Sequence, residues 1–313
     1  MKSSAKITAR VSLDRVRLSC FSEDGYVPLA RNLGEYSRVG KPKPIDKSQA
    51  RNPARKKHEV CENFKVIFNY FHDVSGNKLR ICTGRRRSAS YAPSLILIFD
   101  SSYSQTLLYK DVESALSSFQ KFEGISFRVT EVHVAVDLSA PIGTGLYEMI
   151  SKSIRAGKKG KPSDKYKYET SRIFGSPRSA TQLSLYDKAR DQWDKYGIDL
   201  KEDVVRIESR LLKIGHFKGF PRSLKEIGKM NWAFLHPAFF SFHRPTRKLK
   251  HLLNKQELNF PIWELRDLVM ERFGITSSNF YRDYVRDEKR FSIPVVKALA
   301  RYQWNPMVKK QKP

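Results

Sequence analysis

The chain has 313 residues, 40% of them hydrophobic and 12% aromatic, enough apolar material for a sizeable core and too much for a disordered segment. Its 59 Lys and Arg against 32 Asp and Glu give a formal charge of +27, which attracts polyanions, nucleic acid ahead of an anionic membrane surface. No run of about 18 consecutive apolar residues offers a membrane-spanning helix, and no long basic amphipathic helix of the interfacial kind is present. The opening residues, MKSSAKITARVSLDRVRL, lack the apolar stretch of a secretory signal. Cys20, Cys61 and Cys82 are odd in number, widely spaced and form no C-x-x-C pair. That argues against a disulfide framework or a cysteine zinc site and for a reducing compartment, so the expectation is a cytoplasmic protein.

In chain order, residues 6–20 alternate apolar and polar and predict one or two strands. Residues 40–58 carry seven Lys or Arg, three Pro and one acid, the composition of a loop or linker. Strand-like runs follow at 64–71, 78–84 and 94–100, separated by Gly, Asn and Ser. Residues 111–122 have helical spacing, with Val112, Leu116 and Phe119 on one stripe.

The middle of the chain is more regular. RVTEVHVAVDL (128–138) predicts a β-branched strand, and 144–154 predicts an amphipathic helix aligning Leu146, Met149, Ile150 and Ile154. A basic, glycine-containing loop spans 155–167. Strands near 169–175 and 181–188 flank the turn GSPRS, a short helix covers 188–196, and 203–213 returns as a strand. Beyond 215 the patterns turn helical, at 222–230, 262–273 and 294–304. The order of elements predicts an α+β fold: a central, largely antiparallel sheet with flanking helices, plus a helical C-terminal region. The expected parts are a β-rich N-terminal part (1–125) containing the basic linker 40–58, an α+β core (126–215) and the helical region (216–313).

Strand alternation decides which side chains can meet, because residues i, i+2 and i+4 share a face. Glu131, His133, Ala135 and Asp137 therefore share one face, with Val132, Val134 and Val136 on the other. Ser184, Tyr186 and Lys188 share a face if the strand lasts that far. Arg206, Glu208 and Arg210 oppose Val205 and Ile207. In one sheet, His133, Asp137, Glu208, Tyr186 and Lys188 could converge. Carboxylates with an imidazole suit Mg²⁺ or Mn²⁺, which polarises a phosphodiester for attack by a phenol. Tyrosine ionises near pH ~10, so the phenolate needs a metal or a cation such as Lys188 beside it. Each feature also has a plain structural reading. Polar strand faces are commonly solvated, Arg206, Glu208 and Arg210 could form a charge ladder, and Tyr186 could be an edge aromatic.

Taken in order, VTEVHVAVDL, FGSPRSATQLSLYDKARDQ and VVRIESRLLK resemble the rolling-circle replication initiators of the Rep_trans type. They are also similar to filamentous-phage replication proteins and to the transfer relaxases of integrative elements. The matching positions are Gly175, Ser176 and Ser179, then Tyr186, Asp187 and Lys188, then Arg206, Glu208 and Arg210. The resemblance covers about 128–213 of the chain. Glu131 and His133 depart from the Arg and Asp usual in the first of these strands, whereas Asp137 keeps the second acid.

The resemblance implies an enzyme that nicks and recloses one strand of origin DNA, initiating rolling-circle replication of a plasmid or phage. Tyr186 would form a 5′-phosphotyrosine and leave a 3′ hydroxyl, with Lys188 assisting. Asp137, Glu208 and His133 would hold a divalent metal, Mg²⁺ or Mn²⁺. Origin DNA, as single strand or hairpin, would be the main partner, and a host helicase and polymerase and a second copy of the chain are further partners. Basic stretches at 41–57, 85–87 and 155–167 mark DNA contacts, with Arg85, Arg86, Arg87, Lys158, Lys159, Lys161, Arg178, Arg206 and Arg210 as candidates. A solvated linker is the other reading of 41–57. The location expected is the cytoplasm of a bacterial host. A mobilisation relaxase would show the same residues, and a non-catalytic DNA-binding protein could keep the same fold. A tyrosine recombinase fits poorly, because its tyrosine lies on a helical domain.

Overall fold

The computed structural model describes residues 6–22, 33–41, 43–44, 64–85, 93–102, 105–119, 122–157, 170–176 and 179–305. The fold is α+β, with antiparallel sheet, flanking helices and a helical C-terminal region. The chain divides into two compact units. One gathers residues 12–134, 211–230 and 303–313; the other gathers 1–11, 135–210 and 231–302.

The first unit is built on strands β1 (Thr8–Ser22), β2 (Tyr36–Arg38), β3 (Lys43–Pro44), β4 (Phe64–His72), β5 (Lys78–Arg85), β6 (Leu95–Asp100) and the start of β7 (Ile125–Pro141). Their order is β2–β4–β5–β6–β1–β7, with β3 beside β4. The antiparallel registers Leu18↔Leu97, Ile81↔Leu97 and Leu79↔Phe99 collect apolar side chains on one face, all at 1% exposure or less. Burying such a side chain contributes about 1.5–3 kcal/mol, so this face is what the unit closes on. Helix α1 (Tyr109–Ser117) buries Val112, Ala115 and Leu116. It stops before the predicted end at 122; Phe119 is buried all the same, in a turn whose amide bonds Leu116 O at 2.9 Å. Two residues expected in the linker, Lys43 and Pro44, pair with β4.

Cys82 lies in an apolar cluster with Ile96 and Ile98 and is disulfide-bonded, whereas Cys20 is a buried free thiol. The sequence spacing had argued against a disulfide framework. Spacing is a poor guide where strand pairing brings together residues far apart in the chain.

The other unit takes the end of β7 with β8 (Ile154–Arg155), β9 (Ser171–Phe174), β10 (Thr181–Asp187), β11 (Glu202–Leu211), β12 (Ser241–Pro245) and β13 (Val285–Asp287). The order in its main sheet is β7–β11–β10–β9; β13–β12–β8 form a separate small sheet. Helices α2 (Leu146–Ser153) and α3 (Lys188–Tyr196) lie close to the predicted spans. Strand β10 ends one residue sooner than predicted. Asp187 accepts a hydrogen bond from Arg190 N at 3.0 Å and caps α3, so Lys188 opens a helix instead of extending the strand.

In the C-terminal region α4 (Arg247–Leu252) and α5 (Ile262–Phe273) share a core that includes Leu249, Leu265, Val269 and Phe280, and α6 (Lys289–Arg301) buries Phe291, Val295 and Leu299. Helix α6 begins five residues before the predicted 294, with Pro294 inside it. The pattern at 222–230 yields only the short helix Leu224–Gly228. Strands β12 and β13 were not expected in this region. They are five and three residues long, too short to show an alternating pattern.

Candidate active site

The three sequence motifs fall on neighbouring strands, β7, β11 and β10, and β9 closes the row. The buried sides of these strands carry Val136 and Leu138, Val205 and Ile207, and Leu183 and Leu185. Period-two alternation then turns Asp137, Arg206 and Tyr186 the other way.

Asp137 is the centre of that opposite face. Its Oδ1 accepts from Arg206 Nε at 2.6 Å, and its Oδ2 from Arg206 Nη2 at 2.7 Å. Lys188 Nζ donates to Oδ2 at 2.7 Å. The three side chains are 13–15% exposed. Burial pushes the Asp137 carboxyl up, but Arg206 and then Lys188 outweigh it and hold the group below its ordinary range. Two cations against one carboxylate leave the trio with a net positive charge.

Tyr186 lies two residues before Lys188, partly buried, opposite Ser171 of β9. Ser184, on its own side of the strand, is buried with its hydroxyl unpartnered. Between β9 and β10, Ser176 and Ser179 of the G-S-x-x-S motif bond to each other. Ser179 N donates to Ser176 O at 3.0 Å, and the two hydroxyls lie 3.1 Å apart. Gly175 adopts φ 91°, a region that favours glycine.

The remaining candidates are engaged elsewhere. Glu208 is buried and accepts from Arg210 Nη2 at 2.9 Å. In the other unit, His133 Nε2 lies 2.7 Å from Glu131 Oε1. Glu131 also faces Arg15 at 3.6 Å and Arg17 at 3.5 Å. Burial would raise the Glu131 carboxyl; His133, Arg15 and Arg17 reverse that and bring it to about 2. The face that sequence reading treated as one acid–imidazole row thus serves two separate ion clusters.

The donor set does not fit a divalent cation as arranged. Both oxygens of Asp137 are held by cations, Glu208 is paired with Arg210, and His133 is turned to Glu131. Among the described residues, no group of three or more His, Cys, Asp or Glu has the spacing to hold a metal. Of the candidate DNA contacts, Arg206 and Arg210 are ion-paired. Arg86, Arg87, Lys158, Lys159, Lys161 and Arg178 lie outside the described residues, as do most of 41–57 and the side chain of Arg85.

Sequence reasoning assigned Lys188 to the phenol and Arg206 to DNA, and missed that both close on Asp137. The one available signal was their shared face with Asp137, and the helix start at Lys188 obscured it.

No family model and no curated protein matches the chain. Among solved structures, a rolling circle replication initiator protein from Geobacillus stearothermophilus is similar, at 13% identity and a TM-score of 0.40. The match covers 83% of this chain and 95% of that one. At that score the likeness carries no argument about function.

Proposed function

We propose that the chain is an origin-specific DNA nicking–closing protein that initiates rolling-circle replication through a tyrosine-linked intermediate. One observation carries the reading: motifs far apart in sequence lie on adjacent strands and meet in the ion cluster Asp137–Arg206–Lys188, two residues from Tyr186.

The chemistry follows from that cluster. The Tyr186 Oη would attack a backbone phosphorus; the O–P bond forms as the bond from phosphorus to the 3′ oxygen breaks. The phenol proton passes to water, and the departing 3′ oxygen takes one up. With the phenol brought to this cluster, its net positive charge would favour phenolate over phenol and offset the charge that builds on the phosphoryl oxygens. Asp137 would hold Arg206 and Lys188 in fixed positions, so that little reorganisation accompanies the reaction. The reverse attack by a 3′ hydroxyl reseals the strand. The +27 charge supports the same reading, because phosphate contacts supply much of the affinity of such proteins. Metal assistance is not part of the proposal, since the acids present are already paired with cations.

The test is to trap the protein on supercoiled origin DNA, digest the complex and locate the nucleotide adduct by mass spectrometry. An adduct on Tyr186 supports the reading. An adduct on another tyrosine, or DNA binding without any nick, refutes it, and the second result favours a DNA-binding protein without catalysis. The nick position, in a replication origin or a transfer origin, separates an initiator from a mobilisation relaxase.

A further inference from the structure

The small sheet β13–β12–β8 carries a second constellation that the nicking reading does not use. Strand register places Arg155 opposite Ser241, and His243 opposite Asp287. Ser241 and His243 are two apart on β12, so all four lie on one face. They line a cavity of about 480 Å³ whose other wall includes His236. Gly157 completes the close fit: a Cβ there would meet Ala238 O at 2.9 Å, and its φ is +50°.

Three buried nitrogens in this cavity's lining have no hydrogen-bond partner: Arg155 Nε, His236 Nε2 and His243 Nδ1. Leaving buried polar atoms unpaired costs about 1–3 kcal/mol each, so their grouping points to a ligand that pairs them. Ser241 Oγ lies 2.8 Å from His243 Nε2. When the hydroxyl donates there, the neutral imidazole carries its proton on Nδ1 and offers it as a donor. The Arg155 guanidinium packs 3.6 Å over the Tyr281 ring, which fixes its plane. Asp287 is the one acid in the lining, and it already accepts the Ser292 hydroxyl.

We propose that this cavity binds a phosphate group, with Arg155 as the charged partner and His236 and His243 as neutral partners. Burial, then Arg155, holds the His243 imidazole down at about 4, and burial likewise lowers His236, so both are uncharged near neutrality. A cation would be repelled by Arg155, which disfavours a two-histidine metal site. The phosphate could be free or part of a DNA backbone; the chemistry of recognition is the same.

The experiment titrates the full chain and follows the side-chain nitrogen resonances of His236 and His243 by NMR. One arm adds inorganic phosphate, and a second adds an oligonucleotide without terminal phosphates. Saturable shifts in the first arm identify a free-phosphate site, and shifts in the second alone identify a backbone site; either upholds the proposal. Arg155→Gln should weaken the responding arm about tenfold or more, the usual effect of losing a charge-assisted hydrogen bond. Unmoved histidine resonances in both arms, a response to Zn²⁺ alone, or equal affinity in Arg155→Gln overturns it. The wild-type titration decides the matter even if the variant fails to fold.

Discussion

Lys188 Nζ sits 2.7 Å from Asp137 Oδ2 across 51 residues of sequence, and Arg206 grips the same carboxylate through both of its oxygens. Of the described residues, this cluster is the one that joins three separate motifs. Its Lys188 follows by two residues the tyrosine on which the proposed chemistry depends.

Tyr186→Phe removes the hydroxyl and keeps the ring. The expected outcome is complete loss of nicking and of the covalent adduct, with DNA binding within about twofold of wild type, because phosphate contacts dominate affinity. A gel assay on supercoiled DNA and a binding titration check the two halves. Residual nicking at wild-type rate would remove Tyr186 from the reaction.

Asp137→Asn leaves two buried cations without their counterion. Breaking such a pair costs about 3–5 kcal/mol, read as a lower urea midpoint. In a double-mutant cycle with Lys188→Met, the coupling should be about 1–3 kcal/mol. Additive losses would mean the contact contributes nothing specific.

Both depressed carboxyls make stability depend on acid. Glu131 falls from 4.5 to about 2, and Asp137 is also lowered. A lowered folded-state value means the stabilisation is present above the unfolded value and disappears as pH falls through the folded one. Urea midpoints should therefore drop between about pH 4.5 and about pH 2, and Glu131→Gln should flatten that drop. An equally steep fall in the variant would assign the acid sensitivity to other groups.

Metal addition tests the pairing of the acids directly. A site filled at about a hundred times its Kd would add about 2.7 kcal/mol of stability. With Asp137, Glu208 and His133 engaged as they are, Mg²⁺ or Mn²⁺ should leave thermal unfolding unchanged. A saturable rise in Tm that vanishes in Glu208→Ala would show the acids releasing their cations to a metal.

Much of the sheet was legible because Val132, Val134 and Val136, or Leu183 and Leu185, announce a buried face by alternation alone. Alternation also gave the face on which Asp137, Arg206 and Tyr186 stand. It could not give partners. Glu131 and Asp137 look equivalent on one strand face, yet each answers to cations supplied by other segments, Arg15 and Arg17 for one, Arg206 and Lys188 for the other. The strand's end fell one residue short of the predicted 188 because an aspartate can extend a strand or cap a helix, and the bond to Arg190 N selects the cap. His236 and His243 gave no signal at all, since their cavity depends on β12 and β13, strands too short to read.

The cap at Asp187 has one more consequence. Tyr186 is clamped on both sides, by its pairing with Ser171 on β9 and by the helix that starts two residues later. With its backbone held in this way, the two side-chain torsions are the main means of moving the phenol. On the proposed chemistry the tyrosine is an anvil: the DNA strand has to bend until its phosphate reaches the ring oxygen. Sequences that kink or melt easily would then be cut in preference to stiff ones, even where no base is read.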